Sequence, residues 1–246
     1  MGLSVVMPVH NGVRFLERAI ASIREDAGPH CEIIVVDDRS SDDSRAMAER
    51  IARDGPGGIR VVAADKGSPS GARNVGIAAA GGDIIGFLDV DDEWVPGRTA
   101  ELMRRLDAEP DVDVVYGKVE AVIADRDDPI WANSGFGDQA VPFPLIGTGL
   151  YRRRAFERIG TFDEAMRFGE DFDWFLRAGE ARLRLLIIDR LVLRYHLHAS
   201  NMTRDRRSAT FAIATVIRRS LLRRRSAGDP RPLPQISEYY ETADPG

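Results

Sequence analysis

Along the first part of the chain, short unbroken apolar runs alternate with stretches in which apolar residues recur every three or four positions. Leu3-Ser4-Val5-Val6-Met7 is the first run, closed by Pro8, and predicts a buried strand. After the turn Val9-His10-Asn11-Gly12, residues Phe15, Leu16, Ala19, Ile20 and Ile23 share one helical face. Glu32-Ile33-Ile34-Val35-Val36 is continuous and β-branched, the pattern of a parallel strand covered on both sides. The acidic, Ser-rich segment from Ser40 to Ser44 opens a second helix that runs to about Arg53. A third strand is expected at Ile59 to Ala63, a helix of small residues at Gly71 to Ala80 and a fourth strand at Ile84 to Leu88.

This rhythm of strand and helix predicts an α/β fold with a mostly parallel, doubly wound sheet. Right-handed crossovers then bring the strand ends to one rim, where ligands of open α/β sheets bind. The segments on that rim are Pro8-Val9-His10-Asn11, Asp37-Asp38-Arg39-Ser40, Asp65-Lys66-Gly67-Ser68 and Asp89-Val90-Asp91-Asp92. All but the first begin with aspartate, and carboxylates gathered this way repel one another unless a cation or a donor-rich ligand joins them.

The second half is less regular. Helices are expected at Pro96 to Leu106, Arg154 to Ile159 and Asp171 to Gly179, and strands at Val112 to Ile123, Leu145 to Arg152 and Leu185 to Tyr195. Between Asp125 and Pro144 lies a loop-rich stretch with Trp131 and Phe136; a tryptophan is by default a core residue, and Trp131, in an irregular loop, is the one best placed to stack on a ligand ring instead. One domain is expected over residues 1–203, with two halves at 1–95 and 96–203, followed by a helix and Pro-rich tail at 204–246. In that tail Phe211, Ala214, Ile217 and Leu221 form an apolar stripe beside several arginines. The stripe is expected to dock on the domain or on a second subunit, with peripheral membrane contact as the alternative.

Composition narrows the classes. The chain has 246 residues, 43% hydrophobic and 30% charged, and a net charge of -5, so nothing global favours nucleic acid. A single cysteine, Cys31, excludes an internal disulfide framework and a Cys-based zinc site, and fits a reducing cytoplasm. No segment reads as membrane-spanning, and the N-terminus lacks the basic start and cleavage site of a leader.

The chemistry centres on Asp89-Val90-Asp91-Asp92. Oxygen ligands of this kind suit Mg²⁺ or Mn²⁺, which can hold a diphosphate through its remaining positions. An acidic turn before a helix reads the same way in isolation. Arg73 suits bidentate phosphate contact or a surface ion pair. Asp38 can accept from a base N–H or cap a helix, and Asp171 can act as a base or simply favour a helix start. The loop after the first strand is neither the Gly-rich basic loop of a nucleotidyltransferase nor a Gly-x-Gly-x-x-Gly, and no Walker A sequence occurs.

Taken in order, several motifs resemble the family 2 glycosyltransferases of GT-A fold. They are Ser4-Val5-Val6-Met7-Pro8-Val9-His10-Asn11, Ile33-Ile34-Val35-Val36-Asp37-Asp38-Arg39-Ser40, Gly71-Ala72-Arg73-Asn74, Phe87-Leu88-Asp89-Val90-Asp91-Asp92, Arg158-Ile159-Gly160-Thr161-Phe162-Asp163 and Gly169-Glu170-Asp171-Phe172. The resemblance covers roughly residues 3 to 203. It departs from the family at His10, where Tyr is common, and at Arg39, where Gly is common.

The resemblance implies an inverting, divalent-metal-dependent glycosyltransferase using Mn²⁺ or Mg²⁺. The donor would be a UDP- or GDP-linked sugar, and the acceptor a glycan, lipid-linked or other hydroxyl. Asp38, with Pro8 and Val9, would hold the nucleotide base. Arg73 and Asp89 would face the donor, Asp91 and His198 the metal, and Asp171 would be the general base with Glu170 as the other candidate. The competing readings are a non-catalytic nucleotide-sugar-binding protein and another nucleotide-binding α/β enzyme such as a nucleotidyltransferase.

Overall fold

In the first half the elements are β1 (Leu3–Val9), α1 (Val13–Ala27), β2 (Glu32–Asp38), α2 (Ser44–Asp54), β3 (Ile59–Ala64), α3 (Pro69–Ala79) and β4 (Ile84–Phe87). β5 (Glu93–Trp94), α4 (Arg98–Ala108), β6 (Val114–Ile123), β7 (Gly149–Arg152), α5 (Arg153–Ile159), α6 (Glu170–Glu180), β8 (Leu185–Leu197) and α7 (Arg206–Ser226) follow. This computed structural model describes residues 2–123, 140–141, 145–166, 168–198, 201, 206–233 and 235–239. Trp131 and Phe136 lie outside the described residues.

One eight-stranded sheet has the order β3-β2-β1-β4-β7-β6-β8-β5. β1 runs parallel to β2 and β4, with Val5 opposite Ile33 on one side and Gly86 on the other. β7 is antiparallel to both β4 and β6, β8 is parallel to β6, and β5 is antiparallel to β8. The mostly parallel sheet expected from the sequence is therefore present, with β5 as an addition. Two residues carry no periodicity, so β5 had no signal to read.

Alternation along each strand builds two cores. Val5, Met7, Ile33 and Val35 pack with Leu16, Ala19, Ile23, Ala48 and Leu102 of α1, α2 and α4. Val6, Ile34, Val36, Ile85 and Phe87 pack with Ala72 and Ile77 of α3, Phe156 of α5 and Trp174 of α6. Both faces are covered, which explains the uninterrupted apolar runs. α3 begins where Ser68 Oγ accepts from Gly71 N at 3.2 Å and Pro69 occupies the first turn. It lies close enough to β1 that a Cβ on Gly76 would overlap Val6 Cγ1.

The chain leaves β1 toward β2 and β3, then returns to place β4 on the other side of β1. That reversal opens a crevice beyond the carboxyl ends of β1 and β4. The two loops there touch: a Cβ on Gly12 would lie 2.7 Å from Val90 Cγ1.

The tail corrects one expectation. Ile217 and Leu221 face solvent, 45% and 57% exposed, and Ala214 is exposed as well. The docked face carries Val216 and Ser220 instead, held by ion pairs from Arg219 to Asp163 (2.5 Å) and from Arg223 to Asp173 (3.0 Å) and Glu180 (2.8 Å). Ile217, Leu221 and Ala214 therefore do not dock on their own domain, the first of the expected partners, while the side chain of Phe211 lies outside the described residues.

Candidate active site

Arg73, on the first turns of α3, is 4% exposed at the centre of the crevice. Its Nη2 donates to both Asp89 oxygens, at 2.7 and 2.9 Å, and its Nη1 donates to Glu170 Oε1 at 2.6 Å. The small residues around it let α3 lie against the sheet and carry the guanidinium inward. The bonds to Asp89 and Glu170 raise Arg73's affinity for its proton despite the burial. With both terminal nitrogens engaged, Arg73 clamps Asp89 and Glu170 together.

α6 brings three more acids to this clamp. Gly169 stands before its first turn at φ 75°, a left-handed conformation natural to glycine, and Glu170, Asp171 and Asp173 follow. Glu170 is 8% exposed and tied to Arg73. Asp171 accepts only from its neighbour Phe172 N, at 2.8 Å, among the hydrogen bonds of the described residues. Burial first, and then the charge of Glu170, push the Asp171 carboxyl up to about 7. Of the two candidate bases, Glu170 is fixed by an ion pair to Arg73, and Asp171 has no such partner among the described residues.

Asp91 lies across the crevice. Its Oδ2 is 3.2 Å from His198 Nε2 and accepts from Asn201 Nδ2 at 3.3 Å. The His198 ring stacks on Phe15 of α1, with centroids 4.8 Å apart. Arg18 Nη2 donates to the Asp91 carbonyl at 2.7 Å. Burial and the charge of Asp89 raise the Asp91 carboxyl, so a cation here would relieve a strained acid. Asp92 turns the other way, 3% exposed, and accepts from His196 N at 2.9 Å, which fastens the loop to β8.

The donor set fits a divalent metal in its chemistry. Asp91 and His198 offer one carboxylate and one imidazole, while both Asp89 oxygens are held by Arg73. No group of three or more His, Cys, Asp or Glu side chains placed for one ion occurs among the described residues. Two side chains suffice for Mg²⁺ or Mn²⁺ when substrate phosphates and water supply the rest.

Asp38 is 4% exposed and accepts from Lys66 N at 2.7 Å and Ser68 N at 3.1 Å. It therefore shapes the loop between β3 and α3, and keeps one lone pair on each oxygen for a ligand. Pro8 is half-buried at the end of β1. Val9 is 2% exposed within the core, so its side chain does not line a pocket and only its main chain can meet a ligand. Arg39 adopts φ 61°, the left-handed region where glycine is unstrained, and its Nε reaches Asp65 at 3.3 Å. His10 Nδ1 sits 2.8 Å from the Asp38 carbonyl, linking the first two rim loops.

Phe15, Arg18 and Asn201 had no assigned role in the sequence. Phe15 falls on the apolar face of a helix and reads as core, and an exposed arginine on a helix carries no signal of its own. Asn201 lies three residues beyond His198, and its amide donates to the same Asp91 oxygen.

Comparison with known proteins bears on the family and the fold. Residues 4–168 match the family described as Glycosyl transferase family 2. The chain is 26% identical over 214 residues to the amylovoran biosynthesis glycosyltransferase AmsB of Erwinia amylovora, covering 80% of this chain and 70% of AmsB. It is 30% identical over 192 residues to the succinoglycan biosynthesis protein ExoU of Rhizobium meliloti, covering 71% of this chain and 56% of ExoU. Among solved structures, S. aureus TarS (residues 1–349) in complex with UDP superposes with a TM-score of 0.66 at 20% identity, covering 88% of this chain and 65% of that one. The same protein with UDP-GlcNAc gives 0.66 at 21% identity, covering 83% and 61%. The chain thus spans less than two thirds of ExoU and of TarS 1–349, and the TarS likeness speaks to the fold. With the match covering residues 4–168, the chain belongs to glycosyl transferase family 2 and has the GT-A fold.

Proposed function

We propose that the chain transfers a sugar, with inversion, from a UDP- or GDP-linked donor to an acceptor hydroxyl in the assembly of a polysaccharide or other glycoconjugate. The observation that carries this reading is the clamp of Arg73 on Asp89 and Glu170, which sets Asp171 beside the donor-side acid. Support for the donor class comes from TarS, which was crystallised with UDP and UDP-GlcNAc. AmsB and ExoU, named for amylovoran and succinoglycan biosynthesis, support the product class. A cytoplasmic location accords with a lone, buried thiol at Cys31.

In this mechanism Asp171 accepts the acceptor's hydroxyl proton as the oxygen attacks the anomeric carbon. Its raised affinity for a proton suits that step, and Arg73 keeps it from drifting by fixing Glu170 next to it. Asp89, itself held by two bonds, faces the donor sugar. Asp91 and His198 would hold Mn²⁺ or Mg²⁺, which supplies positive charge against the departing diphosphate. Asp38 and Pro8 would receive the base at the ends of β1 and β2.

The test is a panel of nucleotide sugars incubated with and without Mn²⁺, followed by NMR of the product anomer. Metal-dependent turnover with inverted configuration is expected. Retained configuration or metal-independent turnover overturns the proposal.

A further inference from the structure

Every large hydrophobic side chain exposed among the described residues lies on α7: Ile213 (48%), Ile217 (45%), Leu221 (57%) and Leu222 (52%). Ile213, Ile217 and Leu221 repeat every four positions, and Ala214 lies beside them, so they form one continuous outward face. Arg218 and Arg225 border that face, and neither has an ion-pair partner among the described residues. No acidic residue occurs from Arg206 to Ser226, although the whole chain carries a net charge of -5. The opposite face is the one pinned to the fold, through Val216, Ser220, Arg219 and Arg223.

We infer that α7 lays this outward face on an anionic lipid surface. The apolar side chains enter the boundary between headgroups and acyl chains, and the unpaired arginines meet lipid phosphates. No helix among the described residues is long and apolar enough to cross a membrane, so the contact is one of lying on the surface. Charge argues against a symmetric second copy as the occupant, because pairing this face with itself would gather the Arg218 and Arg225 of both copies at one interface with no acidic residue of either helix to offset them. The ion pair from Arg223 to Asp173, inside α6, then ties the lipid-bound helix to the one that presents Asp171.

The test is co-sedimentation of the full chain with vesicles of phosphatidylcholine and phosphatidylglycerol, and with vesicles of phosphatidylcholine alone. Binding to the anionic vesicles, weakened by salt, is expected, with about a tenfold loss or more in Arg218→Glu/Arg225→Glu and in Ile217→Glu/Leu221→Glu. All four positions are exposed, and unchanged circular dichroism confirms that the variants fold. Failure to bind anionic vesicles, or binding that both variants retain, overturns the inference. So does a dimer, seen by analytical ultracentrifugation, that Ile217→Glu/Leu221→Glu dissolves.

Discussion

Arg73 Nη1 donates to Glu170 Oε1 at 2.6 Å, joining α3 to α6 across 97 residues of chain. The same guanidinium holds Asp89, so its removal would leave one buried acid and one half-buried acid facing each other unpaired. Arg73→Ala should lower stability by about 3–5 kcal/mol, and Arg73→Lys, a single point charge that cannot hold both partners, should fall between it and the parent. Urea unfolding decides this, and an Arg73→Ala variant as stable as the parent would show that the clamp is ornamental.

Asp171 gives two linked pH effects. As a base it must be deprotonated, so kcat/KM should fall with decreasing pH through about 7, and Asp171→Asn should lose turnover while still binding nucleotide. For stability the sign is reversed. The folded carboxyl titrates at about 7 and the unfolded one near 3.8, so the folded state binds more protons between them and stability drops as pH rises through that window. Asp171→Asn lacks this loss. Its stability advantage should grow from about pH 4 to about pH 7 and then level off, as read from unfolding midpoints across pH.

Asp91 and His198 lie 3.2 Å apart with Phe15 stacked behind the imidazole. Asp91→Ala and His198→Ala should each weaken UDP binding in Mn²⁺ by about tenfold or more, and leave the metal-free affinity where it was. Isothermal titration with and without Mn²⁺ separates the two terms. Equal losses in both conditions would make these residues direct nucleotide contacts.

Asp38 organises a loop through Lys66 N and Ser68 N. Asp38→Ala leaves two N–H groups without their acceptor and should cost about 1–3 kcal/mol, with Asp38→Asn costing less because its one carbonyl oxygen still accepts. Thermal melts of the two variants test this ordering, and the reverse order would rule out the loop role.

The parallel half of the fold was legible because buried strands such as Ile33 to Val36 allow no polar interruption, and because Gly, Pro and Ser mark the turns between them. Asp89, Asp91 and Asp171 stood out through residue type and motif. Arg73's task did not, because a sequence shows one arginine and two distant acids without showing that they meet. Which face of α7 meets the domain is hidden for a related reason: apolar spacing does not say whether a stripe packs inward, and Val216 with Arg219 and Arg223 makes the contact instead. Phe15 was hidden in an ordinary amphipathic helix.

The reach of Arg73 also sets an order of events during synthesis. A nascent chain that has completed β1 to β5 already carries Asp89, yet Glu170 and Asp171 are still to be translated. Until α6 arrives, the guanidinium has half its anchorage and no proton acceptor stands opposite. Vectorial emergence of the polypeptide therefore withholds chemical competence from the unfinished molecule, and contacts of such long range close last.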